Sequence, residues 1–388
     1  MATAPSTPPA PSGPGTAVGT VGFRPPPYPY DRLGPIKALA DEHEGGAVDL
    51  SIGTPGDAPP GAVVAALGGS DTERGYPNSV GSPAFREAAA AWMARRLGVD
   101  VPSTAVAACV GTKEFVATTP QWLRLRDPDR DTVLYPAVSY PTYEMGAALA
   151  GCRAVPVPID DRWRLDLAAI DDADAARALC LWVNTPANPT GALDDLVQVA
   201  GWARDRGVPV LSDECYVEFT WDGPRRTILA DGLEGRIAVH SLSKRSNLAG
   251  LRAGFYAGDP ELVGDLSEVR KHVGLMVPGP VQAAATVALG DDAHVEEQRG
   301  RYAERLAFFA EVLAAAGVPC ALPGGGFYLW AHAPGGDAWA TAADLARRGG
   351  VVVSPGEFYG ALGSEWLRVA VVVPLDRLRL VAERLAQR

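Results

Sequence analysis

A chain of 388 residues, 47% hydrophobic and 21% charged, has the make-up of a globular protein with length for two or three domains and a large core. Its formal net charge of −11 argues against nucleic acid as a main partner and gives no support to a membrane-surface role. No stretch is apolar for long enough to span a bilayer, and no basic-then-apolar leader opens the chain. Its five dispersed cysteines, without metal-type spacing, suit a reduced, cytoplasmic protein that binds no metal.

Residues 1–20, built of Pro, Ala, Ser, Thr and Gly without charge, are expected to form a disordered tail. Phe23 to Tyr30 reads as a stiff proline-rich arm whose aromatics pack on their own chain or reach across to a second subunit. A short helix near Leu33 to Glu44 and a strand at Val48 to Pro55 follow, and residues 21–57 are taken as this arm plus part of a small domain.

Over 58–286, helices alternate with short apolar runs. The helices fall at Gly61 to Leu67, Ser82 to Leu97, Lys113 to Leu125, Tyr143 to Ala150, Leu193 to Arg206, Pro260 to His272 and Val281 to Leu289. The runs are Ala105 to Val110, Thr132 to Tyr135, Ala154 to Val157, Ala178 to Val183, Val208 to Leu211, Ile237 to Val239 and Ala253 to Ala257. Such alternation predicts an α/β domain with a mostly parallel seven-stranded sheet flanked by helices. Residues 287–388 predict a smaller α+β domain. Its parts are a long helix from His294 to Ala316, a strand at Gly324 to Trp330, a helix at Trp339 to Arg348, and strands around Val351 and Leu367.

In a parallel sheet, ligands sit beyond the carboxyl ends of the strands. Past the run ending at Val110 come Gly111, Thr112 and Lys113, a glycine turn that opens a helix and can cradle phosphate; alone it reads more readily as an ordinary helix start. Past Val183 comes Asn184, past Leu211 come Asp213 and Tyr216, and past Val239 come Ser241 and Lys244. Only four of the 35 basic residues are lysine, and lysine, unlike arginine, can shed its proton to become a nucleophilic amine. An amine, a carboxylate and an amide at successive strand ends fit one cofactor. Pyridoxal phosphate needs an amine for its aldehyde, a carboxylate for its ring nitrogen, donors at its phenolic oxygen and a phosphate cup.

Three motifs, NTPANPTG (184–191), SDECY (212–216) and SLSKRSNLAGLR (241–252), resemble in order and separation the fold-type I pyridoxal-phosphate aminotransferases of class I/II, over roughly residues 25–388. The resemblance implies that 58–286 is the cofactor-binding domain and that Lys244 is the catalytic lysine. It implies Asp213 as partner of the ring nitrogen, and Asn184 and Tyr216 at the phenolic oxygen. Ser241 and Arg252, with Gly111, Thr112 and Lys113 opposite, would hold the phosphate. Tyr140 would stack on the ring, Gly53 would let the substrate approach, and Arg368 would grip the α-carboxylate as a fork. Tyr76 would reach the phosphate of a neighbouring subunit, which implies a homodimer with shared active sites.

Within that family, AVHSLSKRSNLAG (238–250), RKHVGLMVPGPVQAA (270–284), LGDDAHVEEQR (289–299), VDLSIGTP (48–55) and SPGEFYG (354–360) resemble succinyldiaminopimelate aminotransferases. That resemblance implies amino transfer between glutamate and N-succinyl-LL-2,6-diaminopimelate in lysine biosynthesis. Substrates with two carboxylates call for a second cation beside Arg368, and Lys271, Arg270 and Arg245 are the candidates. The uncharged tail and proline-rich arm depart from that family, which leaves open a paralogue with another amino acid substrate. A carbon–sulfur β-lyase of the same fold and a pyridoxal-phosphate-binding regulator are the other readings, the latter disfavoured by a tail too short for a DNA-binding module.

Overall fold

Runs of β-branched and other apolar residues become strands here because both faces of the sheet they form are covered. The computed structural model describes residues 23–387; the tail expected over 1–20 lies outside them. Helix α1 (Gly34–Asp41) and strand β1 (Val48–Asp49) precede helices α2 (Gly61–Gly68) and α3 (Pro83–Leu97). Next come β2 (Val106–Cys109), α4 (Thr112–Arg126), β3 (Thr132–Pro136), α5 (Thr142–Leu149) and β4 (Arg153–Val157). They are followed by α6 (Asp172–Ala176), β5 (Ala178–Asn184), α7 (Leu196–Arg204) and β6 (Val210–Asp213). Strand β7 (Arg236–Ser241), the single turn α8 (Leu242–Arg245) and β8 (Gly254–Gly258) close the sheet.

The seven strands lie in the order β2-β8-β7-β6-β5-β3-β4. All neighbours run parallel except β8, which is antiparallel to both β2 and β7. Every residue of β5 and β7 is buried, as expected of strands packed on both sides. One apolar cluster gathers Leu134, Leu181, Ala238 and Phe255 on one face of the sheet. Another gathers Val133, Cys180, Ile237 and Tyr256 on the other.

The chain continues through α9 (Pro260–Val273), α10 (Gly279–Gly290) and the long α11 (Ala293–Ala315). Then come β9 (Tyr328–His332), α12 (Ala338–Gly349), β10 (Val351–Val352), β11 (Ser354–Pro355), β12 (Trp366–Ala370) and α13 (Leu375–Ala386). Strand β10 pairs with β1, while β11, β12 and β9 form an antiparallel sheet. Residues from α1 and β1 share one apolar cluster with residues from Tyr302 to Leu385, so chain from both ends packs together.

Helix α13 is absent from the sequence reading, although Leu378, Val381 and Leu385 repeat at helical spacing and are buried. Helix α7 starts later than expected, at Leu196, because the Asp195 carboxylate caps it by accepting from the backbone N–H groups of Val197 and Gln198. Strand β9 also begins late, at Tyr328, after a Gly324-Gly325-Gly326 approach in which a Cβ on Gly325 would meet Pro186.

Candidate active site

Parallel pairing puts β5, β6 and β7 side by side with their carboxyl ends at one edge. Asn184 lies directly opposite Asp213 in register, and Asp213 opposite Val239, two residues short of Ser241. These ends open into a cavity of about 480 Å³ lined by Asn184, Asp213, Tyr216, Ser241, Lys244 and Arg252. Gly53, Thr112, Lys113, Tyr140 and Arg368 line it from other parts of the chain. Eleven of the residues expected at the site thus face one space.

At its floor, the Asp213 carboxylate accepts from the Tyr143 hydroxyl at 3.0 Å and from the Cys215 backbone N–H at 3.2 Å. Burial nonetheless raises its pKa, against the pull of those hydrogen bonds and of Lys244. A buried carboxylate in that state is a ready partner for a protonated ring nitrogen, whose charge would relieve the cost of burying its own. The Asn184 amide donates to the Asp213 backbone carbonyl at 2.9 Å, and its oxygen accepts from the Asn188 N–H at 2.8 Å. Both side chains are thereby fixed before any ligand arrives.

Lys244 stands in α8 and donates to the Gly53 carbonyl. Burial lowers its pKa to about 8, with Arg368 and Arg252 adding to the effect. An amine so poised is partly neutral near physiological pH, as a nucleophile and proton carrier must be. Gly53 has to be glycine: a Cβ there would overlap the Tyr328 hydroxyl.

The phosphate side is built at the start of α4. Gly111 caps the helix at φ 79°, a conformation L side chains resist, and a Cβ there would overlap the Arg252 guanidinium. The free N–H groups of a 15-residue helix and the Arg252 cation therefore converge on one spot. Across from them the Ser241 hydroxyl oxygen accepts from the Ser243 N–H at 3.1 Å. An amine, a buried carboxylate, amide and phenol donors, and an anion cradle are the donor set that pyridoxal phosphate requires, and the residues present fit it.

Arg368 is 2% exposed. Its guanidinium donates to Asn188 Oδ1 at 2.8 Å and to the Ser51 carbonyl, and stacks against Tyr328 at 4.4 Å and Tyr359 at 4.8 Å. These contacts hold its planar fork toward the cavity.

Two expectations, those for Arg245 and Arg270, need revision, while Lys271 and Tyr76 are expected to act toward a second subunit as well. Arg245, though adjacent to Lys244, points away from the cavity. It is 4% exposed, donates to the Ala288 carbonyl at 2.8 Å and lies 3.6 Å from Glu218, so it is a structural charge rather than a substrate clamp. Arg270 is 1% exposed and held by both carboxylate oxygens of Glu114 at 2.7 Å. Lys271 is half exposed on α9, pairs with Glu268 at 2.6 Å and does not line the cavity of its own chain. Tyr76 is 99% exposed and also lies outside that cavity.

Tyr28, Tyr30, Tyr143, Cys215, Asn188 and Tyr328 line the cavity without having been singled out as site residues. The arm packs on its own chain. The Tyr28 hydroxyl meets that of Tyr140 at 3.1 Å, and the Tyr30 hydroxyl meets that of Tyr359 at 2.8 Å. Lys113 donates to the hydroxyls of Tyr140 at 3.2 Å and Tyr28 at 3.4 Å. Its amine thus belongs to an exposed, aromatic rim.

Residues 46–385 match the model of aminotransferase class I and II. The chain belongs to that family. The family uses pyridoxal phosphate, in agreement with the donor set above. Among its relatives, the chain is 43% identical to the 4-dedimethylamino-4-oxo-anhydrotetracycline transaminase OxyQ of Streptomyces rimosus, covering 93% of this chain and 99% of that one. It is 35% identical to the LL-diaminopimelate aminotransferase of Desulforudis audaxviator, covering 93% of this chain and 95% of the relative. A solved structure from Thermus thermophilus, a probable N-succinyldiaminopimelate aminotransferase, is similar with a TM-score of 0.82 and 32% identity, over 92% of this chain and 98% of the other.

Proposed function

We propose that this aminotransferase moves an amino group between glutamate or 2-oxoglutarate and a dicarboxylic amino acid of the diaminopimelate type, with N-succinyl-LL-2,6-diaminopimelate the favoured substrate. The observation that carries this reading is the pair of cations Arg368 and Lys113. Among the described residues lining the cavity, the cations are Lys113, Lys244, Arg252 and Arg368. Lys244 is taken up by the chemistry and Arg252 by the phosphate. Arg368 suits the α-carboxylate, which leaves Lys113 for a distal one. The relatives named for diaminopimelate substrates support the same reading.

Bound pyridoxal phosphate supplies an aldehyde that links to amines and a ring that withdraws electrons from the substrate's Cα–H bond. The chain's own groups do the rest. Arg368 fixes the α-carboxylate as a fork, which orients the Cα–H bond toward Lys244. Lys244 Nζ, whose neutral form burial favours, would take up the Cα proton and give it back. Asp213 would hold the proton on the ring nitrogen, with Tyr216 and Asn184 at the phenolic oxygen. Water would supply the oxygen of the departing oxo acid, the amino group staying behind, and the second oxo acid would then enter and the same groups act in reverse. We also read the chain as one half of a homodimer, in which the exposed Tyr76 meets the phosphate of the partner's site.

A second reading has its own support. The relative from Streptomyces rimosus is named for a polycyclic ketone, and the rim of this cavity is aromatic, with Tyr28, Tyr30 and Tyr140. Loss of the holoenzyme's yellow absorbance on adding single amino donors, without any oxo acid, separates the two. Bleaching by glutamate, N-succinyl-LL-2,6-diaminopimelate and LL-diaminopimelate is expected. Bleaching by glutamate and reaction of the resulting form only with cyclic ketones would overturn the dicarboxylate reading.

A further inference from the structure

Tyr216 and Tyr328 meet hydroxyl to hydroxyl at 2.8 Å, both buried, with their rings edge to face at 5.5 Å. They come from different parts of the molecule. Tyr216 follows β6 in the large sheet. Tyr328 opens β9, where it pairs with Ala370 and so lies diagonally across from Arg368 on β12. The Arg368 guanidinium carbon sits 4.4 Å from the centre of the Tyr328 ring. Tyr328 thus touches the residue assigned to the substrate carboxylate through its ring, and the one assigned to the cofactor's phenolic oxygen through its hydroxyl.

We infer that Tyr328 is a positioning residue that directs the Tyr216 proton at the cofactor and ties that hydrogen bond to the carboxylate site at Arg368. Each hydroxyl carries one proton. For Tyr216 to donate outward, its oxygen must accept, so the bond between the two phenols has to run from Tyr328 to Tyr216. The arginine cation against the Tyr328 ring favours that direction, because it withdraws electron density and makes this hydroxyl the better donor. A phenol that accepts one hydrogen bond donates a stronger one. The inference rests on the placement of Tyr216 at the phenolic oxygen.

The test is a spectrophotometric pH titration of the holoenzyme in four forms: wild type, Tyr216→Phe, Tyr328→Phe and the double variant. Phenylalanine keeps both rings, and with them the packing and the stack on Arg368. A donor at the phenolic oxygen favours its anionic form, so removing it raises the midpoint pH of the bound cofactor's absorbance change. Tyr216→Phe should raise that midpoint by roughly one pH unit. Tyr328→Phe should raise it by about 0.3 unit, and adding it to Tyr216→Phe should raise it no further. A midpoint unmoved by Tyr328→Phe, or two shifts that add in full, would overturn the relay. A midpoint unmoved by Tyr216→Phe would overturn both the relay and the placement of Tyr216, and amino transfer, measured separately, would show whether the reaction stands without them.

Discussion

Burial makes Lys244 useful and also costs the fold something. Its pKa falls from the ordinary 10.5 to about 8, so the folded chain holds less of that proton than the unfolded one between those values. The cofactor-free chain should therefore gain stability as pH rises from about 8 toward 10.5, where the penalty on the charged amine is relieved. Below about 8, the rate at which that chain takes up pyridoxal phosphate covalently should increase about tenfold per pH unit and then level off. A rate still climbing tenfold per unit beyond pH 9 would mean that the lysine is not desolvated. Chemical type at strand ends made Lys244, Asp213 and Asn184 legible in the sequence, since few residue types can serve each role. Direction was not legible. Arg245 neighbours the lysine in the chain but turns to Glu218, whereas Lys113, read as part of the phosphate cup, stands with Tyr28 and Tyr140 at the rim.

At the level of elements, the site depends on where α4 begins. Glu114 lies in the first turn of α4, accepts from the Val110 N–H at 3.1 Å and binds the Arg270 guanidinium of α9 through both oxygens. This clasp ties the Gly111 turn to a neighbouring helix. Glu114→Gln leaves a guanidinium that is 1% exposed facing a neutral amide. It should destabilise the protein by about 3 kcal/mol in denaturant unfolding and weaken cofactor retention. An unchanged midpoint with unchanged slope would show that the pair is dispensable. The inner sheet strands were readable because buried strands appear as unbroken apolar runs, whereas the edge strand β4 is only partly buried. Residues 23–57 and the last helix were harder. Their partners are distant in sequence, as when α1 packs in the same cluster as Leu345 and Val381.

Taken whole, the molecule assembles its pocket from chain segments that no local motif connects. The arm supplies Tyr28 and Tyr30, the sheet edge supplies Lys244 and Asp213, and β12 supplies Arg368. The family and its cofactor follow from the sheet edge, which the motifs mark. The proposed reading puts substrate choice in the juxtaposition of the rim with Arg368, a juxtaposition that only the folded chain shows. Lys113→Met, assayed against Lys271→Ala with dicarboxylic and monocarboxylic amino donors, tests that claim directly. Lys113→Met should raise KM for the dicarboxylic donors by at least about tenfold, leave the monocarboxylic ones little changed and retain cofactor, while Lys271→Ala should alter neither. Equal losses for both donor classes in Lys113→Met would place the lysine with the phosphate instead and contradict the dicarboxylate reading.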